Sequence, residues 1–174
     1  SPIVTNPTDR PVVIVTGSSG YVGSAVVKRL AAHYRVVDFD RHTPPHPPAE
    51  AECVCFDITD ESSIDAALSR VRIAYGDTIA SVIHLAAYFD LSGEPDPRYE
   101  VVTVKGSERL INALKELDVE QFVFMSTMLV HAPSGHEQRI DEDSTLDDRF
   151  PYRASKIRTE TLLREQHGKI PLVI

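Results

Sequence analysis

The chain has 174 residues, 42% of them hydrophobic and 25% charged, which is ordinary for a soluble globular protein and enough for one α/β domain with a sizeable core. Its 18 Lys and Arg against 26 Asp and Glu leave a net charge of −8, which argues against a dedicated nucleic-acid or anionic-membrane surface. Two cysteines, Cys53 and Cys55, expected on opposite faces of one strand, form neither a disulfide framework nor a zinc site and read as buried filler in a reducing compartment. No apolar stretch reaches the roughly eighteen residues of a membrane helix, and the N-terminus lacks the charged and apolar regions of a signal peptide, so the expected location is cytoplasmic.

Residues 1–10 form a polar, proline-punctuated lead expected to be poorly ordered, ahead of a domain spanning 11–174. Val12 to Val15 are short and branched enough for a buried strand, and Val22, Ala25, Val26 and Leu30 recur at the spacing of one helix face. Between them Gly17, Gly20 and Gly23 stand three apart at a strand-to-helix corner. A missing Cβ permits a tight turn at Gly17, close approach of a ligand at Gly20, and packing of the new helix at Gly23. A diphosphate then belongs over the helix N-terminus, from Gly20 through Tyr21 to Val22, where free N–H groups and the positive end of the dipole converge.

Such a glycine motif needs an acidic residue some twenty positions on, at the end of a second strand. Tyr34 to Arg41 is that strand, and Asp40 stands 23 residues beyond Gly17. Its carboxylate would accept both ribose hydroxyls of NAD and repel the 2′-phosphate of NADP, so NAD is the expected cofactor. Asp38 competes, but Asp40 is the last acidic residue before the loop; Arg41 pulls the other way, because a guanidinium there receives a 2′-phosphate.

His42 to Pro48 carries four prolines in seven positions and is a surface loop, whose two histidines lack further ligands nearby and make no metal site. A third strand covers Glu52 to Asp57; Asp60 or Thr59 caps a helix with Ile64, Ala67, Leu68 and Val71 on one face. Ser81 to Ala87 is a fourth, fully buried strand. After a loop from Asp90 to Arg98, Val101, Val104, Leu110, Ile111 and Leu114 mark another helix, and Gln121 to Thr127 is a fifth strand. An acidic segment from Ala132 to Phe150, a helix from Tyr152 to Gln166 and an incipient sixth strand from Ile170 complete the chain. Strands alternating with helices require parallel neighbours and right-handed crossovers, hence a doubly wound α/β sheet with ligands at the strands' carboxyl ends.

Tyr152 and Lys156, four apart, face one side of their helix, so an ammonium stands beside a phenol. A nearby cation favours phenolate and moves a pKa near 10 toward the working range, which makes Tyr152 a proton donor or acceptor for a hydroxyl or carbonyl. Lys156 also suits the nicotinamide ribose, and the hydroxyl of Thr127 or Ser126 would hold the reacting oxygen against Tyr152.

Thr16 to Gly23, Asp57-Ile58, His84-Leu85-Ala86-Ala87, Ser126-Thr127 and Tyr152-x-x-x-Lys156, in that order and spacing, resemble the extended short-chain dehydrogenase/reductases, the NAD-dependent epimerase/dehydratase family, over nearly all of Val12 to Ile174. The resemblance implies a Rossmann fold with Asp57 and Ile58 bordering the adenine, Leu85, Ala86 and Ala87 flanking the middle of the cofactor, and Thr127, Tyr152 and Lys156 as the catalytic trio. Thr103 stands where such proteins commonly carry asparagine, and His131 where a tyrosine is expected. These enzymes look two-lobed, so the chain is expected to be the cofactor-binding portion of a longer protein. The implied activity is NAD-dependent oxidation, epimerisation or dehydration of a small substrate, a nucleotide sugar among the candidates, with homodimer formation left open. A dinucleotide-binding sensor or scaffold without turnover is the alternative.

Overall fold

The computed structural model describes residues 10–18, 21–42, 51–125 and 150–174. Six strands form one parallel sheet in the order β3-β2-β1-β5-β7-β8, namely Ala51–Cys55, Arg35–Asp40, Val12–Thr16, Ser81–His84, Phe122–Phe124 and Leu172–Val173. The chain thus winds one way from β1 to β3 and the other way from β5 to β8, and the reversal opens a crevice at the carboxyl ends of β1 and β5. Doubly wound topology follows the expectation. Two short strands, β4 (Thr78–Ile79) and β6 (Asp118–Val119), pair with each other ahead of β5 and β7. Nothing in the sequence announces them, because two residues are too few to show alternation.

β1 is buried along its whole length. Val12 and Ile14 point into the larger core with Ile64, Leu68, Leu110 and Phe122, while Val13 and Val15 point the other way onto Val27 of α1 (Tyr21–Leu30) and Ala31 just after it. A strand covered on both faces needs an unbroken apolar run, and Val12 to Val15 supply it. In α1 the buried residues are Gly23 and Val27, not Val22 and Ala25, which are exposed. The stripe is offset by one position because Gly23 lies on the loop: a Cβ there would stand 2.5 Å from the Ser18 Cα.

α2 (Glu61–Tyr75) begins at Asp60, whose carboxylate accepts the Ser62 N–H, and ends at Gly76 with φ at 93°. Its buried residues are Ile64, Ala67, Leu68 and Val71, the face read from the spacing. α3 (Lys105–Leu114) is preceded by a π-helical turn, Tyr99–Val104, in which the Lys105 N–H reaches the Glu100 carbonyl. The extra residue in that turn rotates Val101 out of the apolar stripe, leaving it exposed. α4 (Pro151–Gln166) starts with a proline at its first turn, where the missing N–H is no loss.

Cys53 and Cys55 share one face of β3, since side chains two apart on a strand point the same way; the expectation of opposite faces is corrected. Cys53 is half-buried with its thiol 3.9 Å from the Asp38 carboxylate, and Cys55 is exposed, so neither is core filler. Arg10, assigned to the lead, donates to the Ala31 carbonyl at 3.1 Å; residues 1–9 lie outside the described residues.

Gly17 takes φ of 74°, and a Cβ on it would stand 2.6 Å from the backbone of Ala86. Gly17→Ala is expected to cost about 2 to 5 kcal/mol, left-handed strain and a clash with main chain together. Urea midpoints will check it; a loss under about 0.5 kcal/mol would mean that the corner relaxes freely.

Candidate functional site

A cleft of about 470 Å³ opens at the reversal point. It is lined by Gly17 and Ala86, by Asp40 and Asp57 at and beyond the ends of β2 and β3, and by Tyr88 and Tyr152. Arg41, Ile58, Leu85 and Ala87 also line it, so the residues singled out from sequence gather along one surface. A second groove of about 520 Å³ between α2 and α3, lined by Asp65, Arg72 and Glu116, holds none of them.

Asp40 ends β2 with one carboxylate oxygen accepting the Arg41 N–H at 2.7 Å. Asp38, on the same face, is 1% exposed and bonded to the Ser18 hydroxyl, so of the two carboxylates Asp40 is the one at the cleft. Burial raises the Asp38 carboxyl above its usual range. Asp57 accepts the Thr59 N–H at 2.9 Å and the Thr59 hydroxyl at 2.7 Å, and these bonds lower its pKa. Ile58 is buried against Gly106, where a Cβ would stand 3.0 Å from its side chain.

At the other end the Tyr152 ring meets Phe89 edge-on, centroids 5.1 Å apart. Burial, with Tyr99 nearby, raises the Tyr152 pKa above 10. The expected depression by Lys156 is therefore absent: Lys156 is 5% exposed and its ammonium sits 4.2 Å from the centre of the Phe124 ring. Burial lowers its own pKa to about 8. Among the described residues the Lys156 ammonium contacts the Phe124 ring, and Lys156 stands one helical turn along α4 from Tyr152, which lines the cleft.

Gly23 lies in α1 just behind the loop, and Val22 is 54% exposed at that helix's first turn. Of Tyr21 only the backbone, which opens α1, is described. Gly20, Ser126, Thr127 and His131 lie outside the described residues. Sequence reasoning missed Tyr88, Phe89 and Arg98 on the cleft wall, where the Arg98 guanidinium lies 4.5 Å over the Tyr88 ring while paired with Asp96. Tyr88 and Phe89, adjacent at the start of a loop, were the available signal.

The cleft suits a dinucleotide. A glycine corner that no Cβ fits leads into a helix N-terminus, a carboxylate stands at the strand end beyond it, and Tyr152 lines the same cleft one helical turn before the buried Lys156. Among the described residues no helix is long and apolar enough to cross a membrane.

Comparison with known proteins agrees with this reading. An epimerase of undecaprenyl-diphosphate-linked N-acetylglucosamine, N-acetyl-alpha-D-glucosaminyl-diphospho-ditrans,octacis-undecaprenol 4-epimerase of Escherichia coli O157:H7, is 27% identical over 91% of the chain and 44% of that protein. The 3 beta-hydroxysteroid dehydrogenase/Delta 5-->4-isomerase of Mycobacterium tuberculosis is 32% identical over 90% of the chain and 43% of that protein. A short-chain dehydrogenase/reductase superfamily protein from Agrobacterium tumefaciens, solved with bound NAD, superposes with a TM-score of 0.68 at 29% identity, over 94% of the chain and 48% of its own. The chain thus spans about half the length of the relatives it matches. The model of the NAD dependent epimerase/dehydratase family matches residues 13–173, and the chain belongs to that family.

Proposed function

We propose that residues 11–174 are the dinucleotide-binding domain of an NAD-dependent oxidoreductase, epimerase or dehydratase acting on a hydroxyl or carbonyl of a small substrate. The observation that carries this is the shared cleft, which Gly17, Asp40, Asp57, Ala86 and Tyr152 line together. In this reading the diphosphate lies over the N–H groups from Gly20 to Val22, Asp40 receives the adenosine ribose, and Asp57 and Ile58 border the adenine. Leu85, Ala86 and Ala87 flank the middle of the cofactor, and Lys156 donates to the nicotinamide ribose. NAD supplies hydride transfer. Tyr152 moves the proton at the substrate oxygen, and Thr127 holds that oxygen in place. A sugar diphosphate is one substrate class consistent with the relatives, a hydroxysteroid another. A homodimer remains part of the proposal.

The raised Tyr152 pKa keeps the phenol protonated at neutral pH, the form that gives a proton to a carbonyl oxygen. Titration calorimetry with both dinucleotides, followed by nicotinamide absorbance with sugar diphosphates and hydroxysteroids, tests the whole reading. NAD is expected to bind more tightly than NADP by about 1 to 3 kcal/mol, because Asp40 meets a 2′-phosphate with like charge. Asp40→Ala is expected to remove most of that gap. Tighter NADP binding by the unmodified protein would overturn the assignment of Asp40 and shift it to Arg41.

A further inference from the structure

Thr16, His84, Thr103 and Ser107 have no part in the chemistry above, yet none is more than 1% exposed, and they form one hydrogen-bonded chain beneath the cleft floor. The direction of each bond follows from proton counting. The Ser107 hydroxyl donates to the Thr103 carbonyl at 2.5 Å, so toward His84 Nε2, at 2.8 Å, its oxygen can only accept. Nε2 therefore carries the hydrogen and Nδ1 is the acceptor, receiving the Thr16 hydroxyl at 2.6 Å. Thr16 Oγ1 in turn accepts the Leu85 N–H at 3.1 Å and the Ala86 N–H at 3.2 Å, which fills its capacity. Thr103 Oγ1 accepts the Tyr88 N–H at 2.9 Å.

β5 ends at His84, so the amides that follow have no strand partner of the usual kind. Leu85 shares its N–H between the Thr16 carbonyl and hydroxyl, while the Ala86 and Tyr88 N–H groups are satisfied by threonine hydroxyls. This is also the segment on which Gly17 rests without room for a Cβ. Cleft floor and glycine corner therefore have one support.

We propose that His84 is a positioning residue: its neutral Nε2–H imidazole orients the Thr16 hydroxyl and braces Ser107, and so fixes Leu85 to Tyr88 at the height where they receive the cofactor. The proposal rests on the NAD reading of the cleft. An imidazolium would place a hydrogen on Nδ1 against an oxygen already accepting two N–H groups, and would leave the Thr16 hydroxyl proton without its acceptor. The surroundings agree. Phe122 and Phe124 flank the ring at 5.6 and 6.3 Å, and Lys156 on α4 is the one charged group among the described residues that acts on it. Burial and that cation lower the imidazole pKa to about 3.

The test uses the complete protein, with imidazole ¹⁵N spectra between about pH 6 and pH 9, and NAD titrations of Thr16→Val, His84→Leu and His84→Asn. His84 is expected to show one Nε2–H tautomer that does not titrate. Thr16→Val and His84→Leu are each expected to weaken NAD about tenfold, the worth of a buried hydrogen bond, and His84→Asn, which keeps an acceptor where Nδ1 stood, to recover most of it. Thr16→Val keeps the test open if His84→Leu does not fold. An Nδ1–H tautomer, a titrating imidazole, or folded variants that all bind NAD within about twofold of the parent would overturn the proposal. If the parent itself binds no NAD, the cofactor reading fails. Faster exchange of the Ala86 amide, which is bonded to the Thr16 hydroxyl, in His84→Leu would then still support the positioning role, and unchanged exchange would refute it.

Discussion

Tyr152→Phe is expected to reduce turnover on a hydroxyl or carbonyl substrate by a factor on the order of 10² to 10⁴ while leaving NAD affinity nearly unchanged. Phenylalanine keeps the ring and hence the edge-on contact with Phe89, so the cleft wall should hold its shape. What is lost is the proposed proton carrier. Because burial raises the phenol's pKa above 10, the parent protein, if it acts as proposed, should reduce a carbonyl at a rate that stays flat through neutral pH and falls only once the phenol ionises. Oxidation, which needs the phenolate, should instead rise with pH across the same range. The variant should lose both limbs. A sensor without turnover predicts instead that Tyr152→Phe changes nothing beyond stability. Full activity of the variant on a confirmed substrate would discard the mechanism, and His131 or a group beyond this chain would have to move the proton.

Where the sequence was readable, strong local signals agreed with one another. α2 shows this: Asp60 caps it, Gly76 ends it, and four apolar residues at helical spacing are the four that are buried. The cleft was readable for a different reason, because a doubly wound sheet delivers every strand end to the same edge, so Gly17, Asp40, Asp57 and Ala86 had to converge once the strands were placed. Failures came where geometry departs from a fixed period or where partners are distant. A π-turn has no residue signature, so Val101 was assigned inward and stands outward. The α1 stripe was displaced by one because Gly23 is chosen for contact with the loop, a tertiary demand that hydrophobicity does not report. Period two was misapplied to Cys53 and Cys55, which share a face. His84 read as part of an apolar strand, since its partners Thr16 and Ser107 lie 68 and 23 residues away. Lys156 was rightly placed one turn from Tyr152, but helical spacing gave no notice that Phe124 would hold its ammonium.

Lys156→Met is expected to act in opposite directions on stability and on function. Burial lowers the ammonium's pKa from 10.5 to about 8, so the folded protein holds this proton less tightly than the unfolded chain does. The charged form therefore costs stability at every pH below about 8, and the cost fades as pH rises from about 8 toward 10.5. Methionine removes the charge and keeps an unbranched chain against Phe124, so without NAD the variant should be the more stable protein at pH 7, by up to about 3 kcal/mol. That advantage should shrink steadily above pH 8. With NAD the order should reverse. The proposed bond from the ammonium to the nicotinamide ribose is worth about 1.5 to 3 kcal/mol, as for hydrogen bonds to charged groups, so affinity should fall about tenfold to a hundredfold. Turnover should fall at least as far as in Tyr152→Phe, because a ribose that is no longer held leaves the nicotinamide misaligned with the substrate. Thermal melts across pH with and without NAD read both effects from one protein. A variant less stable than the parent at pH 7 without NAD would show that the ammonium has a partner in the fold, and unchanged NAD affinity would remove Lys156 from the cofactor site.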